Sequence, residues 1–64
     1  MKYIVTSCNE EVLVTDDRRT AEDEWFRQCR IVNRRADWLE NHGLSDTLGC
    51  EVAEDGVLLH WHTR

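Results

Sequence analysis

Two histidines and a glutamate near the end of the chain have the residue types that bind metal ions. His60 and His62 are two residues apart, so on a strand both side chains point to the same face. Glu51 is expected across from His60, and two imidazoles with a carboxylate could bind zinc, with His42 or a cysteine as a further ligand. The chain has no C-x-x-C or H-E-x-x-H pattern. The sequence therefore favours a solvated strand face, and we predict no metal and no cofactor.

Three cysteines, Cys8, Cys29 and Cys50, are the candidates for thiol chemistry. Cys29 and Cys50 are expected in the core, where a free cysteine packs as a small apolar side chain. A catalytic thiolate would need a base and a positive environment, and the local sequence supplies neither. The chain also lacks a G-x-S-x-G motif and a glycine-rich phosphate loop, and 64 residues are too few to enclose a deep cleft. We predict that the protein is not an enzyme.

A central amphipathic helix, from about Thr20 to His42, is the clearest element that could position these residues. Thr20 is the expected N-cap, Glu22–Glu24 the acidic first turn that the helix dipole favours, and Gly43 the residue that ends the helix. Apolar residues recur in steps of four and three and form one stripe, which Phe26 widens. The stripe consists of Ala21, Trp25, Cys29, Val32, Ala36 and Leu39.

Segments rich in β-branched residues predict four strands. They are Lys2–Ser7, Glu11–Thr15, Leu48–Ala53 and Val57–His62, with loops at Asp16–Arg19 and Leu44–Asp46. Asn9-Glu10 is expected to close the first hairpin, and Asp55-Gly56 the second as a type I′ turn. A two-residue second turn would pair Val52 with Leu59 and Cys50 with Trp61. The core face would then hold Cys50, Val52, Val57, Leu59 and Trp61, and the other face Glu51, Ala53, Leu58, His60 and His62.

The order strand, strand, helix, strand, strand predicts one α+β domain over residues 1–64. The helix would pack across one face of a four-stranded antiparallel sheet and leave the other face, with Leu13 and Leu58, open. No apolar run approaches the roughly 20 residues that span a bilayer, and the first residues lack the apolar core of a signal peptide. Three cysteines are a poor disulfide framework. We therefore expect a cytoplasmic protein.

Charged residues suggest where a partner could bind. Thirteen acids and eight bases give a formal net charge of −5, which disfavours direct binding to nucleic acid or an anionic membrane. Ile31 and Trp38 lie among Arg27, Arg30 and Arg34 on the outer side of the helix, and tryptophan is enriched at interface hot spots. An ordinary solvated surface also accounts for these charges. The candidate binding residues are Glu10, Glu11, Asp16, Asp17, Glu22, Asp23, Glu24 and Trp38.

In size, acidity, α+β plan and absence of a catalytic motif, the chain resembles the small acidic inhibitor proteins of bacteriophages and mobile elements, anti-CRISPR proteins among them. The resemblance is one of general character. It implies a non-enzymatic inhibitor, in the host cytoplasm if phage-encoded, that binds a basic nucleic-acid-binding protein with carboxylates where DNA phosphates would lie. The protein would be a monomer or a weak homodimer. The alternative is a self-associating structural or adaptor module that uses Ile31 and Trp38 or the open sheet face.

Overall fold

Four strands and one helix follow the predicted order ββαββ, and the computed structural model describes all residues, 1–64. The elements are β1 (Tyr3–Ser7), β2 (Glu10–Thr15), α1 (Arg18–Asn41), β3 (Gly49–Glu54) and β4 (Val57–Thr63). The strands form one antiparallel sheet in the spatial order β2-β1-β3-β4. The helix packs across one face, so the predicted α+β fold is confirmed. No helix has the length and apolar character needed to cross a membrane.

Both hairpins close with two-residue turns in which each residue has a positive φ. The φ angles are 50° and 68° at Cys8 and Asn9, and 48° and 84° at Asp55 and Gly56. Positive φ at both positions is the type I′ geometry, whose twist matches that of paired strands. The second turn is the predicted one. The first begins one residue earlier than Asn9-Glu10, because Ser7 pairs with Glu10.

The helix begins two residues before the predicted start. Its N-cap is Asp17, whose carboxylate accepts hydrogen bonds from the Arg19 amide at 3.2 Å and the Thr20 hydroxyl at 2.6 Å. Thr20 therefore supports the cap from inside the helix, and Arg18 and Arg19 are helical rather than part of a loop. The first turn contains no acidic residue, because this start places the Glu22–Glu24 acids beyond it. An aspartate caps at least as well as a threonine, so Asp17 can start the helix ahead of the expected Thr20 cap.

The helix ends at Asn41 with His42 as its C-cap, and Gly43 follows as the predicted stop. Gly43 has φ +68°, and its amide donates to the Glu40 carbonyl while the Leu44 amide donates to the Leu39 carbonyl. These two bonds form a Schellman motif, which satisfies carbonyls that have no partner within the helix.

The predicted helix stripe is the side that packs on the sheet. Near the start of the helix, Ala21 joins a buried cluster with Tyr3, Val5 and Val52. Farther along the helix, a second buried cluster consists of Val32, Ala36, Leu48 and Cys50. Trp25 packs against both clusters.

Two helix residues depart from the predicted stripe, and the helix is longer than the sheet. Phe26 does not widen the stripe, since it is 59% exposed. Gln28 is buried, and its amide donates to Glu24 at 3.1 Å. At 1.5 Å per residue the helix is about 36 Å long, against roughly 20 Å for a six-residue strand. Its last turns therefore extend beyond the sheet.

A β-bulge in β4 changes which residues face the helix. Ala53 pairs with Leu58, but Val52 pairs with His60, so Leu59 is an extra residue in β4. Beyond the bulge, His60 and His62 face the helix, and Trp61 faces away from it. The predicted pairs Val52–Leu59 and Cys50–Trp61 are wrong, as is the placement of Glu51 opposite His60. A tight turn sets the register only as far as the first bulge.

Val57 and Leu13 also differ from the sequence prediction. Val57 is 66% exposed rather than in the core. A second bulge, in β2, leaves Val5 paired with Leu13 and Thr6 paired with Glu11. Leu13 therefore packs against the core instead of lying on the open face.

Candidate protein-binding site

The side of the sheet away from the helix, called the open face below, carries an apolar row. Tyr3, Val5 and Ser7 are buried on the helix side of β1, so the residues between them point the other way. Paired residues share a face. The row therefore crosses all four strands as Val14, Ile4, Ala53 and Leu58. Val14 is 48% exposed and Leu58 is 44% exposed.

A second row on the open face combines acids with an aromatic side chain. Its residues are Glu11, Thr6, Glu51 and Trp61, paired in that order across the four strands. Trp61 is 65% exposed, although large aromatic side chains normally bury most of their surface. Thr6, Glu51, Leu58 and Trp61 line one side of an open groove of about 470 Å³. The groove could accept a side chain from a partner.

The charged strand residues on the open face are all acidic. None of the four strands contains lysine or arginine, and the two histidines of β4 face the helix. Glu11 and Glu51 lie two strands apart, which corresponds to about 10 Å between them. Together the two carboxylates would attract a cationic group.

The predicted acidic residues are not gathered in one patch. Glu10 and Glu11 lie at the start of β2, and Asp16 and Asp17 follow its end, about 20 Å away along the strand. Trp38 is some 22 Å along the helix from Asp23. Of the predicted set, only Glu11 lies on the open face.

Three of the predicted acids are bound to other residues of the chain. The hydrogen bond from the Thr20 hydroxyl holds the pKa of Asp17 below its ordinary value. Glu24 bonds Arg27 and Gln28. Glu22 accepts from Nε2 of His60 at 2.9 Å and also pairs with Arg18 at 3.5 Å. These contacts explain part of the acid-rich sequence by structure alone.

The hydrogen bond from His60, more than the charge of Arg18, lowers the pKa of Glu22. The His60 ring also stacks on Trp25, with 5.1 Å between ring centroids. His62 donates from Nε2 to Asn33 Oδ1 at 2.7 Å. The bulge therefore gives both imidazoles partners on the helix. No group of three or more His, Cys, Asp or Glu residues is placed to hold a metal ion.

Ile31 and Trp38 lie on the outer side of the helix, 44% and 54% exposed. Trp38 stacks on His42, with 4.0 Å between ring centroids, and His42 Nδ1 donates to the Trp38 carbonyl at 2.7 Å. Arg34 and Arg35 lie between the two apolar residues in the sequence and are also exposed. This side of the molecule is basic, opposite in charge to the open face.

Cys29 and Cys50 meet between the helix and the sheet. Their sulfur atoms are 3.5 Å apart, and Cys50 is 4% exposed. Burial, assisted by the hydrogen bond with Cys29, raises the pKa of Cys50 to about 12. A thiol in this environment is the opposite of an activated nucleophile.

Sequence reasoning missed Trp61 as a surface residue. The alternation of residues 57–62 fits either face of the sheet, and no feature of it marks Leu59 as the extra residue. Comparison of the chain with protein-family models, curated proteins and solved structures gives no match. The candidate site therefore depends on geometry and charge alone.

Proposed function

We propose that the chain is a non-enzymatic binding protein whose open face docks on a basic surface of a nucleic-acid-binding protein and inhibits it. One observation carries this proposal: the exposed Trp61 lies beside Glu51, over a groove, on a face whose strands have no lysine or arginine. Tryptophan at the centre of an interface is a frequent hot spot. A carboxylate beside it selects a cationic partner.

An arginine of the partner suits this pair best. Its guanidinium can stack on the Trp61 ring and bond the Glu51 carboxylate with its edge, which an ammonium group cannot do. The apolar row next to the groove, through Ala53 and Leu58, provides area that loses water on contact. Glu11 offers a second carboxylate for a second cation. Arginine-rich surfaces of this kind are common where proteins bind nucleic-acid phosphates.

Inhibition follows from occupancy. A basic surface covered by this face is closed to phosphates, so the carboxylates act in place of nucleic acid. The general resemblance to small acidic phage inhibitors, anti-CRISPR proteins among them, supports this reading. The proposed setting is the cytoplasm, and three free cysteines agree with it.

The test is capture of the partner from cells of the source organism on immobilised protein, with open-face variants. Trp61→Ala and Glu51→Lys should each reduce capture at least tenfold, and duplex DNA added to the lysate should compete. Glu40→Lys is the matched control, because it makes the same charge change at an exposed helix position. Equal capture by Glu51→Lys and Glu40→Lys would exclude the open face. Capture that DNA does not reduce would exclude inhibition by mimicry.

Self-association is a second candidate, favoured by the apolar row that crosses all four strands. Two copies could stack their open faces, row on row. Pairing through the outer side of the helix is less suited to self-association. An antiparallel helix pair that matched Ile31 with the partner copy's Trp38 would bring Arg34 and Arg35 of both copies together.

A further inference from the structure

The two cysteines between helix and sheet belong to elements that only tertiary structure brings together. Cys29 is in the middle of α1, and Cys50 is near the start of β3. We propose that this thiol pair is an oxidation site, which peroxide converts into an intramolecular disulfide between the helix and the sheet. The proposal does not rest on the proposed function: Cys50 borders the groove, but its side chain is buried in the cluster on the helix side of the sheet.

The geometry of the pair suits bond formation. The sulfur atoms are 3.5 Å apart, against about 2.05 Å in a disulfide. The Cys29 side chain is half-buried, and Cys50 is in a cluster with Val32 and Leu48. The half-buried Cys29 side chain has more freedom to close this gap than the packed Cys50. Both sulfurs already face each other, so the second step is intramolecular and needs no diffusion.

The two thiols have different exposures, and this sets the order of the steps. Cys29 meets the oxidant, because Cys50 is closed to solvent and its raised pKa keeps it protonated. Peroxide gives one oxygen to the Cys29 sulfur as its O–O bond breaks, and the thiol proton leaves with the other oxygen as water. The product is a sulfenic acid at Cys29.

Cys50 then resolves the sulfenic acid. Because Cys50 is a protonated thiol, it transfers its proton to the sulfenic oxygen as its sulfur attacks the Cys29 sulfur. The S–S bond forms, the S–O bond breaks, and the oxygen leaves with both protons as a second water. In total, two thiols are oxidised and one peroxide is reduced to two waters.

The bond would fasten the helix to the sheet at the second buried cluster. It closes a loop of some twenty residues, which restricts the unfolded chain more than the folded one. The equilibrium constant for unfolding should fall about 100-fold, and the unfolding midpoint should rise by about 10 °C. The open face lies on the other side of the sheet, so partner capture should be unchanged.

The test treats the reduced protein with hydrogen peroxide at one to a few equivalents. Peptide mapping without reductant should find Cys29 joined to Cys50, and the midpoint of thermal unfolding should rise and return after dithiothreitol. Cys8→Ser is the matched control and should behave as the unmodified chain, since Cys8 is an exposed thiol outside the pair.

Cys29→Ala should abolish both the linked peptide and the stabilisation. Because Cys29 is only half-buried, this variant is expected to fold, unlike a change at the buried Cys50. The proposal is overturned if the bond maps to Cys8, if Cys29 stops at sulfinic acid, or if Cys29→Ala gains the same stabilisation.

Discussion

The Glu22–His60 pair shows how one hydrogen bond links the fold to pH. The carboxylate accepts from the imidazole at 2.9 Å, and this bond lowers the pKa of Glu22 from the ordinary 4.5. A carboxylate whose pKa is lower in the folded state stabilises the fold above its unfolded pKa. That stabilisation disappears as the pH falls through the folded value, because the proton then binds both states. The pKa of Asp17 is also lowered, from an ordinary 3.8, so this carboxylate affects stability in the same direction.

We predict that Glu22→Gln lowers the unfolding midpoint at pH 7 and that the difference from the unmodified chain closes as the pH falls below 4.5 and through the lowered pKa of Glu22. Thermal unfolding, followed by circular dichroism from pH 7 into acid, measures this difference in unfolding midpoint. Asp23→Asn, at the next position, which is exposed, removes the same charge without removing this bond and is the matched control. A Glu22→Gln deficit that persists unchanged in acid would contradict the role given to the carboxylate.

At the scale of the elements, the bulge in β4 and an unbroken register predict opposite effects of Trp61 on stability. With Trp61 on the open face, Trp61→Ala should change the free energy of unfolding by less than about 0.5 kcal/mol. Had Trp61 faced the core, its truncation would cost about 3–5 kcal/mol. His62→Ala should cost about 1 kcal/mol, because it removes the bond to Asn33. Urea unfolding of the two variants decides between the registers.

Patterns that recur along the chain predicted the elements, and single-residue irregularities escaped them. The helix stripe through Val32 and Ala36, the Gly43 stop and the Asp55-Gly56 turn all depend on local periodicity or φ preference, which the sequence displays. A bulge depends on which of two registers buries more surface and satisfies more polar groups. In β4 the partners that decide this, Glu22 and Asn33, are on the helix, far away in the sequence.

The same limit applies to the candidate site. Glu11 was recognised as an acid, but its alignment with Glu51 and Trp61 arises only when both bulges and the strand order are known. Acids that are adjacent in the sequence, from Glu22 to Glu24, proved to be divided between internal bonds and solvent. Charge runs in a sequence therefore overstate the charge that a partner would meet.

At the scale of the whole molecule, charge divides the protein into two sides. The sheet strands carry only acidic charges at neutral pH, while exposed arginines line the outer side of the helix, Arg27, Arg30, Arg34 and Arg35. The open face is about 15–20 Å on each side, which is an area of roughly 200–400 Å². A standard stable interface buries roughly 800 Å² per partner, which is about twice that area or more. Stacked copies would also bring Glu11 and Glu51 near the same residues of the second copy.

We therefore predict a monomer of 7.6 kDa by light scattering at concentrations up to about 100 μM. Salt distinguishes binding of a basic partner from self-association through the open face, because it should change the two affinities in opposite directions. Binding to a basic partner should weaken as salt screens unlike charges, whereas stacking of two acidic faces should strengthen as salt screens like charges. A dimer that grows with salt and disappears in Leu58→Asp would favour self-association over the basic partner. A mass that stays monomeric in high salt, with capture that falls steeply over the same range, is the result that the charge distribution predicts.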